Sequence, residues 1–150
     1  MGFFHTKQSD GYTVILGCGR LGAAISNTIS DQGGNILVID KNRDSLLRLS
    51  SGFGGLTIIG DCTDLDVLQD AHIDTASVVI AATDSDNLNI LSALLVRDLY
   101  PSPHVIARLN DPEKQAICKE HGVYTICPAA LSANQIESVL ADLKQTPRED

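Results

Sequence analysis

The sequence predicts an α/β protein built on a parallel sheet of six strands, with helices on both faces. Three observations carry that prediction. Apolar segments rich in Val and Ile recur six times, nearly continuous in hydrophobicity, as strands buried on both faces are. Amphipathic segments separate them, and this alternation calls for right-handed βαβ crossovers. The first apolar segment runs directly into Gly17-Cys18-Gly19-Arg20-Leu21-Gly22, a glycine turn that opens a helix.

The strands are expected at Tyr12–Leu16, Asn35–Ile39, Leu56–Ile59, Ser77–Ala81, His104–Ala107 and Tyr124–Ile126. A helix over Arg20–Gln32 stops at Gly33-Gly34, a C-terminal cap signal. Arg43–Ser50 reads as a helix with Leu46, Leu47 and Leu49 on one side. Asp64–Asp70 is a short helix that Thr63 or Asp64 can cap. Ser85–Leu99 is a longer one, stopped by Tyr100-Pro101. Pro112–His121 opens with Asp111 as N-cap and Pro112 in its first turn, then ends at Gly122. Ala129–Leu143 closes the fold. The whole is a Rossmann-like, doubly wound sheet of order 3-2-1-4-5-6, with its crevice between strands 1 and 4, where the order reverses. One domain over 12–143 is expected, between a flexible N-terminal arm (1–11) and a polar tail (144–150) that contains Pro147.

Bulk properties exclude several classes. At 150 residues the chain is large enough to bury a core, and with no Trp that core is aliphatic. A net charge of −8 supplies no broad basic face for nucleic acid. No apolar run approaches the roughly 20 residues of a membrane-spanning helix, so no direct membrane insertion is expected. The N-terminus lacks the pattern of a signal peptide, and Met1-Gly2 with Thr6 fits a myristoylation pattern too short to carry weight. The four cysteines have neither C-x-x-C nor metal-ligand spacing and read as free thiols.

The chemistry concentrates after the strands, where such sheets hold ligands. Gly17 permits the tight turn, Gly19 admits a pyrophosphate and Gly22 lets the helix pack against the sheet. The helix start directs amides and positive dipole at the same spot. Asp40, ending the second strand, stands where a carboxylate takes a ribose, and its charge disfavours a 2′-phosphate, an effect that Lys41 and Arg43 soften. After strand 3, Asp61 in Gly60-Asp61-Cys62-Thr63-Asp64 can accept from an adenine amine. After strand 4, Ala82, Thr83, Asp84 and Asn87 border the space for phosphates or a nicotinamide ribose, although Asp84, Ser85 and Asp86 are also ordinary helix-start residues. After strand 5 comes Arg108. With Arg20 it offers counter-charge to a phosphate, and the pair suits a charged nucleotide better than an uncharged nicotinamide end.

The ordered set Gly17-Cys18-Gly19-Arg20-Leu21-Gly22, Val38-Ile39-Asp40-Lys41, Gly60-Asp61-Cys62-Thr63-Asp64, Val79-Ile80-Ala81-Ala82-Thr83-Asp84-Ser85-Asp86 and Val105-Ile106-Ala107-Arg108 resembles the TrkA-N, or RCK N-terminal, domain. Cys127-Pro128 with Ala133-Asn134-Gln135-Ile136 resembles that family's last strand and closing helix, so the likeness runs from about Tyr12 to Leu143. It implies a cytoplasmic regulatory subunit, not an enzyme, peripheral to the inner face of the cell membrane through a separately encoded potassium transporter subunit. It also implies an adenine-nucleotide ligand, NAD(H), ATP, ADP or AMP, that alters the geometry of a homodimer or a higher ring. By position, Asp40 would hold the ribose, Asp61 the adenine, the glycine loop with Cys18 and Leu21 the phosphates, and Arg108 the phosphates or a neighbouring subunit. Lys41 and Cys62 flank the two carboxylates. The closing helix, apolar at Leu131, Ile136, Val139, Leu140 and Leu143, would join the dimer contact or else pack on its own sheet. The family's smaller C-terminal domain finds no room here, so the reading expects action in trans, with another subunit supplying what is missing.

The competing readings are an NAD-dependent oxidoreductase and a redox-sensing module that responds to the NADH/NAD ratio and to Cys18 oxidation. The first needs a general acid or base beside the nicotinamide. His5, His72, His104 and His121 are placed in a tail, a loop, a strand start and a helix end, and no paired carboxylates or Ser/His/Asp arrangement stands out.

Overall fold

The computed structural model describes residues 11–146. Most of the N-terminal arm, with His5 and the Met1-Gly2 pattern, and the last four residues of the tail lie outside them. A single sheet carries six parallel strands: β1 (Tyr12–Leu16), β2 (Ile36–Asp40), β3 (Leu56–Ile59), β4 (Ala76–Ala81), β5 (His104–Arg108) and β6 (Tyr124–Ile126). Their order is β3-β2-β1-β4-β5-β6, as the alternation predicts. Every neighbouring pair is parallel, so all six carboxyl ends reach the same edge.

Alternation along the central strands divides the core into two layers. Ile15, Ile36 and Val38 face one layer with Cys18, Ala23 and Ala82. That layer is covered by α1 (Arg20–Asp31) and the segment after β2. Val14, Leu16, Leu37 and Ile39 face the other, with Leu68 of α2 (Leu65–Asp70), Ala93 and Val96 of α3 (Asp86–Leu99) and Cys118 of α4 (Gln115–Glu120). Each fully buried Leu, Ile or Val contributes roughly 1.5–3 kcal/mol.

The helix ends follow local chemistry. Gly33, at φ +75°, terminates α1. Its amide donates to Ser30 O and that of Gly34 to Ile29 O, the paired bonds of a Schellman stop. Asp64 caps α2 and Ser85 caps α3 by accepting from Asp66 and Leu88 N–H.

Two expectations are corrected. Arg43–Ser50 is not an α-helix but a 3-10 turn over Arg43–Arg48, nucleated by the Asn42 side chain accepting from Asp44 N–H at 3.0 Å. With three residues per turn, Leu46 and Leu49 pack inward, while Leu47 is 81% exposed. The Pro112 helix splits into a 3-10 turn, Pro112–Lys114, and the short α4. The closing helix α5 (Pro128–Gln145) has no buried residue; Leu131, Ile136, Val139, Leu140 and Leu143 are all exposed, so packing on its own sheet is not their role.

Candidate functional site

At the carboxyl edge the ladder continues past the strands and aligns the loops. Gly17 N–H donates to Ile39 O, Gly60 N–H to Asp40 O and Ala82 N–H to Leu16 O, at 2.8, 3.0 and 2.8 Å. These bonds set the glycine loop between Asp40 on one side and Thr83 on the other. Gly17 holds φ +103°, and a Cβ there would meet Thr83 N at 2.8 Å. A Cβ on Gly22 would meet Gly17 O at 2.0 Å, so the first turn of α1 rests against the loop backbone itself. Gly22→Ala is therefore expected to destabilise the fold by about 2 kcal/mol, the usual cost of overpacking, read as a lowered thermal midpoint. Gly19 differs: its φ of −77° suits any residue, and a Cβ would stand 3.4 Å from Asp84 Oδ1, in ordinary contact. The fold does not require glycine there; the open space before it is what the small residue preserves.

Asp40 ties the crevice together. Its Oδ2 accepts from Cys18 N–H and its Oδ1 from Asn42 N–H, both at 2.7 Å. Each oxygen keeps a further lone pair for a hydroxyl. After the neighbouring strand β3, Asp61 Oδ1 accepts from the Thr63 hydroxyl at 2.7 Å and from Thr63 N–H at 2.8 Å. Those two bonds hold its carboxyl below the usual carboxylate range, with a smaller pull from Lys41. Asp61 Oδ2 has no hydrogen-bond partner among the described residues. Asp40, Lys41, Asp61, Cys62, Gly17, Gly19, Thr83 and Asp84 line one cavity of about 500 Å³. Arg20, Leu21 and Arg108 join Gly19 and Asp84 around an adjoining one of about 510 Å³.

Other expected site residues lie elsewhere. Cys18, Gly22 and Ala82 are buried in the packing behind the loop and serve it through their backbone. Burial pushes the Cys18 thiol up, and the Asp40 carboxylate adds to this against a smaller pull from Arg48. Burial likewise raises the Cys62 thiol. Asn87 is exposed on a separate surface hollow with Ile90, Leu91 and Ile117, accepting from Lys114 Nζ at 3.2 Å. Among the described residues no cluster of His, Cys, Asp and Glu gathers as a metal site.

Three contributors escape the sequence reading. Arg48 lines both cavities, its Nη1 donating to Cys18 O at 3.3 Å. The 3-10 turn that carries it is clipped to α1 by Asn27, which bonds Arg48 O and Ser50 N–H. Asn89 is fully buried in α3. Its Oδ1 accepts from Thr83 N–H and Oγ1–H, at 2.9 and 2.6 Å, and its Nδ2 donates to Thr83 O and Arg108 O, at 2.9 and 2.8 Å. Asp86 accepts from Asn110 and Asp111 N–H at 2.8 and 2.9 Å. Burial alone would raise its carboxyl, but those amides, aided by Lys114 and Arg108, hold it low. Asn89 and Asp86 thus fasten the loops after β4 and β5 to one helix. A sequence signal for Asn89 exists: Asn89, Ser92, Ala93 and Val96 follow the i, i+3, i+4, i+7 spacing of a buried helix face.

Comparison with known proteins places this geometry. Residues 13–128 match the model of the TrkA-N domain. The chain is 34% identical over 125 residues to the Trk system potassium uptake protein TrkA of Streptomyces coelicolor, covering 83% of this chain and 56% of that protein. It is 35% identical to the Trk system potassium uptake protein TrkA homolog of Pyrococcus horikoshii, covering 83% and 58%. The chain thus spans little more than half the length of these relatives. Among solved structures, the TrkA-N domain of the inner membrane protein ybaL from Escherichia coli superposes with a TM-score of 0.79 at 19% identity, over 87% of this chain and 96% of that one. The Shewanella denitrificans Kef CTD in AMP-bound form gives 0.76 at 20%, over 91% and 83%. The GsuK channel bound to NAD gives 0.67 at 23%, over 81% and 22%. At these identities the structures establish the shared fold, and the family model with the TrkA relatives establishes the lineage: this chain belongs to the TrkA-N domain family.

Proposed function

We propose that this chain is a nucleotide-binding regulatory subunit of a potassium uptake system, taking NAD(H), ATP, ADP or AMP in the crevice between β1 and β4. The observation that carries the reading is Asp40: its carboxylate is locked onto the glycine loop by the Cys18 amide, in the same cavity as Gly19 and Asp61. The ribose hydroxyls bond Asp40, the adenine amine bonds Asp61, and the phosphates lie over Gly19 towards Arg20, Arg48 and Arg108. Occupancy rather than turnover is the output, since a ligand that binds one conformation better shifts the balance between two. The subunit is cytoplasmic and reaches the membrane through a separately encoded transporter subunit. The exposed apolar side of α5 supports a homodimer or higher ring, with nucleotide altering its geometry. The names of the two TrkA relatives and of the AMP-bound and NAD-bound neighbours support both halves of the reading. Redox sensing through Cys18 is disfavoured by the residue itself, whose thiol is fully buried and pushed towards the protonated form.

Thermal unfolding of the whole chain with NAD, NADH, ATP, ADP and AMP added separately tests this. A ligand at one hundred times its Kd stabilises by about 2.7 kcal/mol, which raises the midpoint by roughly 5–10 °C. If none of the five moves it, the nucleotide reading fails. If one does, but potassium flux through the co-expressed transporter is unchanged by removing this chain, the transport half fails.

A further inference from the structure

We propose that Asp84 is the charge selector of this site, a tethered carboxylate standing where a ligand phosphate would otherwise sit and penalising each additional phosphate charge. The inference rests on the nucleotide reading above and goes beyond it by naming which nucleotides the site resists. Asp84 follows β4 and borders both cavities. Its side chain is 90% exposed, yet its Oδ1 is held 3.5 Å from Arg108 Nη1 and 3.4 Å from where a Gly19 Cβ would be. Gly19 is the N-cap residue of the 12-residue helix α1, which has no side-chain cap and no acidic residue in its first turn. The positive end of that helix is thus faced by a carboxylate from the loop after β4. The cations around it are Arg108, Arg48 and Arg20, all bordering the same cavity. Among the described residues Arg108 is incompletely satisfied: Nη2 donates to Asn110 Oδ1 at 3.3 Å, while the buried Nε has no partner there.

A phosphate arriving at this spot meets the arginines and the helix end, and it also meets Asp84. Each added phosphate strengthens the first interaction and the like-charge repulsion of the second. A helix-start role does not account for the position, because Ser85 already caps α3 and Asp86 already supplies its acidic first turn. Asp84 makes no hydrogen bond to the amides of its own helix among the described residues; its partner is Arg108.

Dissociation constants of the full chain for NAD, AMP, ADP and ATP, with and without magnesium, test the assignment in wild type, Asp84→Asn and Asp84→Ala. Both variants change an exposed side chain, and an unchanged far-ultraviolet spectrum certifies the fold. The expected result is a graded gain: ATP tightens about tenfold or more, ADP less, and NAD by under about threefold, the gain shrinking at high salt. The same factor for all four ligands would overturn the selector. So would weaker ATP binding in both variants with magnesium present, which would make the carboxylate a partner in holding a phosphate-bound cation. Wild type that binds nucleotides with no change in either variant sinks this inference alone. No binding by any of the three proteins sinks it together with the reading beneath it.

Discussion

Replacing Asp40 with alanine is expected to weaken nucleotide binding by about 100-fold, and to loosen the glycine loop even without ligand. Two losses combine. In the proposed site the ribose hydroxyls would lose a charged acceptor, and hydrogen bonds to charged groups are worth about 1.5–3 kcal/mol each. The Cys18 and Asn42 amides, each 2.7 Å from a carboxylate oxygen, lose the acceptor that fixes their loops. Asp40→Asn separates the two effects. Its side chain keeps the shape but offers only one acceptor oxygen, so one amide must face an NH2 group. The asparagine variant should therefore lie between wild type and alanine in both thermal midpoint and affinity. Calorimetric titration of whichever nucleotide shifts the wild-type midpoint is the measurement. An alanine variant that binds within threefold of wild type would remove Asp40 from the site.

Asn89→Ala is expected to cost about 3–5 kcal/mol, lowering the thermal midpoint by roughly 10 °C. The truncation leaves Thr83 N–H, Thr83 O and Arg108 O without their partners in a fully buried position. Each such orphan costs about 1–3 kcal/mol, and water entering the small void recovers part of that. Asn89→Asp should do no better: it preserves volume but turns acceptor against the two carbonyls that Nδ2 now serves. Because one carbonyl belongs to the loop after β4 and the other to the end of β5, nucleotide affinity should fall in any variant that still folds. Unfolding in urea with and without nucleotide reads both effects. A loss under about 1 kcal/mol for the alanine variant would contradict the network.

What could be read in the chain, and what could not, follows from the range of the interactions. The six strands announce themselves because parallel strands buried on both faces leave unbroken Val and Ile runs, and their boundaries shifted by at most a residue. The glycine loop, Asp40 and Asp61 are legible because each follows a strand that the pattern already fixes. Arg48 is not, since it reaches the cavities only through a long side chain from a turn held by Asn27, and pairing across elements leaves no local signature. Asn87 and Asn89 show the limit most clearly. Two residues along an α-helix turn the side chain by about 200°, so one asparagine serves an exposed lysine while the other holds the site from within. Only the phase of the buried face separates them. The Arg43–Ser50 segment failed for a related reason: its leucines satisfy an amphipathic count, but the Asn42 side chain starts the turn with a tighter period.

The brevity of the outermost strands has its own consequence. β3 and β6 contain four and three residues and carry exposed apolar side chains such as Leu56 and Tyr124. A sheet margin with unpaired amides and apolar side chains is a template on which other chains can polymerise. Here each margin is only about 10–13 Å long at strand spacing, too short to seat the six- or seven-residue segments that nucleate cross-β growth. Keeping the borders stunted lets the molecule hold a greasy, fully parallel interior without offering its edges to fibril formation.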